Sequence, residues 1–395
     1  MDIGGTVEAG YEGVRDAFAR NFAEFGEVGA GFAFAVDGHL VVDLWGGVRT
    51  DTGAPYDAQT LQVVFSSTKG ATAACAHLLA QRGLLDIDEP VVTYWPEFGQ
   101  TGKDQIPVRW LLSHQAGLPT IDATLTRAEA LAWDPVIEAL ELQAPLWEPG
   151  EAHGYHAITY GHLVGEVVRR IDGRTLGAFF RDEFAEPLGL EFWIGLPDEF
   201  EPRVAPMIPM GADVLGDFDL ADVLGPDALM IRAMSLNGAF DEDLAIIANT
   251  REFHAAELPG ASGITNARSL ARFYAGLIGA VEGGPPDALL TPEQVDLART
   301  RQTSGYDRVM SFPGIDVEST IALGFSSASP YAPMGGAGAF GHFGAGGSVG
   351  FADSEHRIAG GYVMSRMGLG APLDPRSGEL IRAAYEAAGA TIAYA

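Results

Sequence analysis

The chain has 395 residues, 47% of them hydrophobic, and 53 acidic against 24 basic side chains give a formal charge of −29. That balance supplies a globular core under an acidic surface, which sets nucleic acid and anionic membranes aside as partners. No apolar run approaches the roughly 18–20 residues that a membrane span requires. The opening Met1-Asp2-Ile3-Gly4-Gly5 lacks a basic stretch followed by an apolar one, so a cytoplasmic protein is expected, and the single cysteine, Cys75, excludes an intrachain disulfide.

In chain order, Val14, Phe18, Phe22 and Phe25 recur at three- and four-residue spacing, which predicts an amphipathic helix from Val14 to Phe25. Two strands are predicted at Gly31–Val36 and Leu40–Leu44, joined by Asp37-Gly38-His39 as a hairpin. A helix is expected from Ser66 to about Arg82, closed by Gly83, and two more at Tyr160–Ile171 and Leu176–Phe184. The segment Asp198–Met230 has no clean period and reads as a long loop near the cleft. A helix at Ala267–Ile278 then precedes strand-like runs at Thr320–Phe325, Ser348–Ala352 and Gly361–Ser365.

These elements describe an α+β architecture. Residues 1–65 and 250–395 are expected to form one subdomain, an antiparallel sheet flanked by terminal helices. Residues 66–249 form a mostly helical second subdomain, with the active-site cleft between the two.

Only two lysines occur, and Lys69 follows Ser66 by three residues in Phe65-Ser66-Ser67-Thr68-Lys69-Gly70. On a helix, positions i and i+3 share a face, so hydroxyl and amine can meet. A serine hydroxyl becomes a nucleophile when a neighbouring base takes its proton, and an amine serves only when desolvation or a nearby cation lowers its pKa. Gly70, Ala71, Ala73, Ala74 and Ala76 are small enough to let that helix be deeply buried. In Trp147-Glu148-Pro149-Gly150-Glu151-Ala152-His153-Gly154-Tyr155-His156 a turn delivers Tyr155 just ahead of a helix starting near Ile158. As a phenolate beside a protonated lysine it could take the serine proton and pass it to a leaving group. The alternative is a structural tyrosine that packs and caps the next helix. His153 and His156 read as structural or rim residues.

Further on, Phe340-Gly341-His342-Phe343-Gly344-Ala345-Gly346-Gly347-Ser348-Val349-Gly350 holds glycines that let backbone approach a ligand closely. Gly346 to Gly350 also match the G-x-S-x-G nucleophile elbow. That elbow needs a strand before it and a helix after it, and here a strand-like run follows, with His356 too near in sequence to serve Ser348.

Ser66-x-x-Lys69, Tyr155 and His342-Phe343-Gly344, in this order, resemble the serine β-lactamase and penicillin-binding-protein superfamily. Leu111-Leu112-Ser113-His114-Gln115-Ala116-Gly117-Leu118 is similar to its Leu-Leu-x-His-x-x-Gly-Leu tract, and Pro149-Gly150 before the tyrosine is likewise usual. The resemblance runs from about residue 10 to residue 390 and is nearest to the family VIII carboxylesterases. It implies the β-lactamase/transpeptidase-like fold, with Ser66 as the acylated nucleophile and Lys69 and Tyr155 as its proton partners. It also implies an oxyanion hole from the backbone N–H groups of Ser66 and Ala345, with His342, Phe343 and Gly344 binding substrate.

Two departures bear on substrate. Class C β-lactamases carry Tyr-x-Asn where this chain has Tyr155-His156-Ala157, and Lys-Thr-Gly where it has His342-Phe343-Gly344. A histidine is mostly neutral at pH 7 and does not replace a permanent cation facing a carboxylate. A small-molecule carboxylic ester with a neutral acyl group is therefore the expected substrate. The alternatives are a β-lactamase, a D-amino-acid peptidase or amidase, an acyltransferase, and a non-catalytic acyl-ligand sensor. No metal-ligand spacing or cofactor loop is evident, so no cofactor is expected. Oligomeric state, acyl length and alcohol preference are not written in the sequence.

Overall fold

The computed structural model describes residues 2–211, 224–225, 227–279, 281–284, 289–312, 314–330, 332–370 and 373–393. Its centre is a nine-stranded sheet in the order β1-β3-β2-β12-β11-β10-β9-β8-β7. The strands are β1 (Ile3–Val7), β2 (Gly29–Val36), β3 (His39–Gly47), β7 (Thr303–Tyr306), β8 (Glu318–Ile321), β9 (Ser326–Ser327), β10 (Ala339–Phe343), β11 (Val349–Asp353) and β12 (Ile358–Met364). Every neighbouring pair in this sheet is antiparallel. A second sheet joins β4 (Gln62–Val63), β6 (Gly263–Thr265) and β5 (Phe192–Ile194), also antiparallel.

The β2–β3 hairpin turns at Asp37 (φ 50°) and Gly38 (φ 79°), two successive left-handed residues whose twist matches that of the flanking strands. β12 is buried at all seven positions and β2 at all but the last, because both faces of the sheet are covered. On one face lie α1 (Glu12–Glu24), inserting Val14, Ala17 and Phe18, and the helix Pro375–Ala387, inserting Leu380, Ile381, Ala384 and Tyr385. The helix Ala267–Leu277 crosses the sheet over β12, β2 and β11. It comes so near that a Cβ at Gly361 would stand 2.6 Å from the Ala267 carbonyl oxygen.

α2 (Thr68–Gln81) is buried from Thr68 through Leu79. Its run of small residues makes a thin rod that other elements surround, among them α6 (Thr159–Asp172). The rest of the middle carries α3 (Val108–Leu112), α4 (Arg127–Leu131) and α5 (Trp133–Leu142). Among the described residues no helix is long and apolar enough to cross a membrane.

Several expectations shift. The helix predicted from Ser66 starts at Thr68, and Ser66 sits in a one-turn 3₁₀ segment, Phe65–Ser67, ahead of it. The helix expected at Leu176–Phe184 leaves α geometry after Phe180 and passes through a π turn at Arg181–Ala185. Of the strand expected at Thr320–Phe325 only Thr320–Ile321 is strand, the end of β8, because the chain turns through Gly324 (φ 88°) before β9 begins at Ser326. Of the loop expected at 198–230, Asp198–Arg203 is a 3₁₀ helix and a helix begins at Leu229, while 212–223 and 226 lie outside the described residues. β1, β7, β10 and the small second sheet were not foreseen, because short or glycine-rich strands carry little periodic signal.

Candidate active site

Three separate pieces of chain meet beside Ser66. β4 ends at Val63 and the 3₁₀ turn brings Ser66, half-buried, to the mouth of α2. Phe65, just before it, has φ 43°, a left-handed setting that costs an aromatic residue roughly 1–3 kcal/mol. That strain is maintained at the one turn that aims Ser66 outward.

Lys69 is wholly buried. Its Nζ donates to the carbonyl oxygens of Ala157 (2.7 Å) and Gly260 (2.8 Å) and lies 3.0 Å from Ser66 Oγ. Desolvation, with no carboxylate among the described residues to offset it, holds the amine well below its ordinary pKa. A neutral amine has two N–H donors and one lone pair. In that form, with both donors held by carbonyls, the lone pair would be left for the Ser66 hydroxyl.

Tyr155 precedes α6. Its ring stands 4.8 Å, centroid to Nζ, from Lys69 and 6.2 Å between centroids from His342. Burial pushes its phenol up, Ser66 pulls the other way, and the Asp307 carboxylate adds to the rise. Burial thus works against charge on both groups, pressing the Lys69 amine and the Tyr155 phenol towards their neutral forms.

Asp307, missed in the sequence, ties this tyrosine to the sheet. Buried beneath the loop, its Oδ1 accepts from the backbone N–H groups of Tyr155 (3.0 Å), Val309 (2.9 Å) and Met310 (3.0 Å), and its Oδ2 from the Ser319 hydroxyl (3.0 Å). An aspartate opening a turn was its one local signal. His114, quoted above only for its tract, is also part of the wall. Its Nδ1 accepts from the His156 N–H (3.0 Å), and its ring lies 5.2 Å from that of Tyr155 and 5.0 Å from that of Tyr160. His156 is structural: Nδ1 donates to the Gly154 carbonyl (2.6 Å) and Nε2 accepts from the Leu118 N–H (3.0 Å). His153 meets Ser319 Oγ at 3.0 Å.

β10 brings in the third piece. His342 is buried, and desolvation, with Lys69 nearby, lowers its pKa to about 3. Its Nδ1 donates to the Phe343 carbonyl (2.7 Å), so the ring is neutral and offers Nε2 as an acceptor. His114, Tyr155, His342 and Phe343 line a cavity of about 110 Å³ with β8 residues and Phe325. After β10 the chain turns through Gly344 to Gly347, with Gly346 at φ 82° and Gly347 at φ 119°. A Cβ at Gly344 would fall 2.2 Å from both the Val64 carbonyl oxygen and Ser348 Oγ, so only glycine permits this loop to lie against the Ser66 turn. Among the described residues the Ala345 N–H donates to no backbone carbonyl.

Ser348 does not face this space. It is fully buried, donates to the Val64 carbonyl (2.8 Å) and lies 3.1 Å from Ser67 Oγ, which donates to the His342 carbonyl (3.1 Å). The elbow-like sequence is a structural clasp between β10–β11 and the Ser66 turn. No cluster of three or more His, Cys, Asp or Glu among the described residues is arranged to hold a metal.

A serine 3.0 Å from a desolvated lysine at the end of an antiparallel sheet, faced by a partly buried tyrosine, resembles the arrangement of a β-lactamase-type hydrolase. The beta-lactamase family profile matches residues 18–384, and the chain belongs to that family. The esterase/beta-lactamase LipL of Mycobacterium tuberculosis is 33% identical over 371 residues, 92% of this chain and 83% of that one. The crystal structure of a family VIII carboxylesterase superposes with a TM-score of 0.86 at 36% identity, over 98% of this chain and 100% of the other. A penicillin-binding-protein homologue from Caulobacter crescentus gives 0.85 at 37% identity, with the same coverage.

Proposed function

We propose that the protein is a serine carboxylesterase working through an acyl-enzyme on Ser66. The observation that carries this reading is the environment of Lys69: a desolvated amine with two carbonyl acceptors and the Ser66 hydroxyl 3.0 Å away. Neutral Lys69 takes the Ser66 proton as Oγ attacks the ester carbonyl. The backbone N–H groups of Ser66 and Ala345 receive the developing oxyanion, a contribution of about 3–4 kcal/mol per well-placed donor. The Tyr155 phenol protonates the departing alcohol and recovers a proton from Lys69, whose transient charge is stabilised by the adjacent ring. Water enters by the reverse path and restores Ser66.

The neutral His342 beside the site, where related β-lactamases carry a cation, favours a neutral acyl group over an anionic β-lactam. The names of the relatives, an esterase/beta-lactamase and a carboxylesterase, support the ester reading, and the penicillin-binding-protein homologue keeps β-lactam or D-amino-acid amide cleavage as the second one. The test is turnover of p-nitrophenyl esters of increasing chain length beside a chromogenic cephalosporin and a D-alanyl amide, for the wild type and Ser66→Ala. Ester turnover should dominate and vanish in Ser66→Ala, with a phosphonate adduct on the Ser66 peptide. An adduct elsewhere, or retained turnover, would refute the assignment.

A further inference from the structure

Behind the Gly344–Gly347 loop, away from Ser66, lies a buried ionic cluster that the reaction as described leaves unused. Arg376, in the first turn of the helix Pro375–Ala387, is 3% exposed. Its guanidinium is held by Asp374 (Nε to Oδ1 3.0 Å, Nη2 to Oδ2 2.6 Å), by the Arg366 carbonyl (2.9 Å) and, more loosely, by Glu27 (3.4 Å). The remaining direction of Nη2 goes to the Gly346 carbonyl oxygen at 3.0 Å.

That bond starts a chain of peptide groups. The Gly346 carbonyl belongs to the same peptide as the Gly347 N–H, which donates to the Gly344 carbonyl at 3.1 Å. The Gly344 carbonyl in turn shares its peptide with the Ala345 N–H. A charged donor at one end polarises each peptide in line, and hydrogen bonds in such a chain strengthen one another. The geometry also needs an anchor. Glycines at 344, 346 and 347 have wide conformational freedom, so a peptide flip in this loop is sterically cheap. The loop lies against the cluster: a Cβ at Gly347 would stand 3.1 Å from Asp374 Oδ2 and 3.5 Å from Arg376 Nη2, and the Gly346 carbonyl also accepts from the Gly368 N–H at 2.9 Å.

We infer that Arg376 is a positioning residue for the oxyanion hole: through the Gly346–Gly347 and Gly344–Ala345 peptides it fixes and polarises the Ala345 N–H. This rests on the esterase reading of Ser66 and Ala345. Asp374 and Glu27 orient the guanidinium, and Arg376 touches no substrate.

The test compares Arg376→Gln and Arg376→Lys with Arg170→Gln, which disturbs a different partly buried cluster around Glu166 and serves as a stability control. Each is assayed on a p-nitrophenyl ester and on the matching thionoester, whose sulfur anion is a poor acceptor for the hole. Arg376→Gln should lower kcat on the oxo ester roughly 10- to 100-fold, with KM changed less than about threefold. The oxo-to-thiono ratio of kcat/KM should shrink by a similar factor. Arg170→Gln should lose thermal stability with both quantities unchanged. If Arg376→Gln does not fold, Arg376→Lys, which keeps the cation but loses the forked geometry, carries the test through the same ratio. An unchanged ratio in a folded Arg376 variant overturns the inference even if the melting temperature falls. Failure of the Ser66 reading shows separately, as turnover surviving in Ser66→Ala.

Discussion

The chain has two lysines, both buried, and their surroundings look alike on paper. Lys69 contacts two main-chain carbonyls and the Ser66 hydroxyl. Lys103 donates to the carbonyls of Glu141 (2.9 Å) and Gln143 (2.6 Å) and to the Thr101 hydroxyl (2.8 Å). Two differences separate a proposed base from a structural cross-link. The Thr101 hydroxyl proton is committed to the Gln100 (2.8 Å) and Gln143 (2.9 Å) carbonyls, so it has none to hand to an amine. Lys103 also has the Glu141 carboxylate nearby, which opposes desolvation, so its pKa comes down only to about 8. Among the described residues no carboxylate does the same for Lys69. Hydrogen-bond count does not make a lysine a base; depth without a counter-charge, beside a hydroxyl whose proton is free to move, does.

The sharpest way to break that contrast is to replace each amine with a similar apolar chain. Lys69→Met takes the amine donor from the Ala157 and Gly260 carbonyls, and Lys103→Met takes it from Glu141 while Gln143 keeps the Thr101 hydroxyl, so both should lose stability, by roughly 1–3 kcal/mol in thermal melts. Their kinetics should separate: Lys69→Met is expected to lower kcat by about two orders of magnitude or more, Lys103→Met by less than about twofold. Equal kcat losses would dissolve the distinction.

A second effect of similar or smaller size concerns the other partner on the proton path. Tyr155→Phe removes the phenol but keeps the ring beside Lys69, and kcat should fall roughly a hundredfold with KM little changed. Combined with Lys69→Met the loss should be far from additive, since both act on one proton. Near-normal kcat would leave Tyr155 a packing residue.

The smallest effect sharpens the electrostatics. The proposed reaction would need Lys69 neutral, so kcat/KM should climb as pH rises through its depressed pKa and then level off. His342, with a pKa of about 3, stays neutral throughout pH 5–8 and contributes no limb there. His342→Ala should change KM a few-fold and leave the acid limb in place. Disappearance of that limb in His342→Ala would make the imidazole the base.

The parts of the fold legible in the sequence are those decided within a few residues. Asp37-Gly38 set the β2–β3 turn because left-handed φ values favour these residues, and α1 was visible through the three- and four-residue spacing of Val14 and Phe18. Leu176–Phe184 was read as one helix because the side-chain pattern continues where the backbone turns to π geometry. In the candidate site, Ser66 and Lys69 were found by spacing, and Tyr155 and the His342 segment by their order along the chain. Asp307 and Arg376 were not, since each acts on backbone atoms far away in sequence.

What the sequence by itself determined is which side chains are present: one serine–lysine pair at helical spacing, small residues that let α2 be enclosed, and glycines where the 344–347 loop approaches the Ser66 turn. What only the tertiary structure decided is their state. The carbonyls that hold Lys69 come from residues 88 and 191 positions away, and the Arg376 contact to Gly346 spans 30. Main-chain carbonyls are chemically the same at every residue, so no sequence pattern marks the ones that will surround an amine. The depth of Lys69, and with it the downward shift of its pKa, exists only once the sheet and the helices have closed around it.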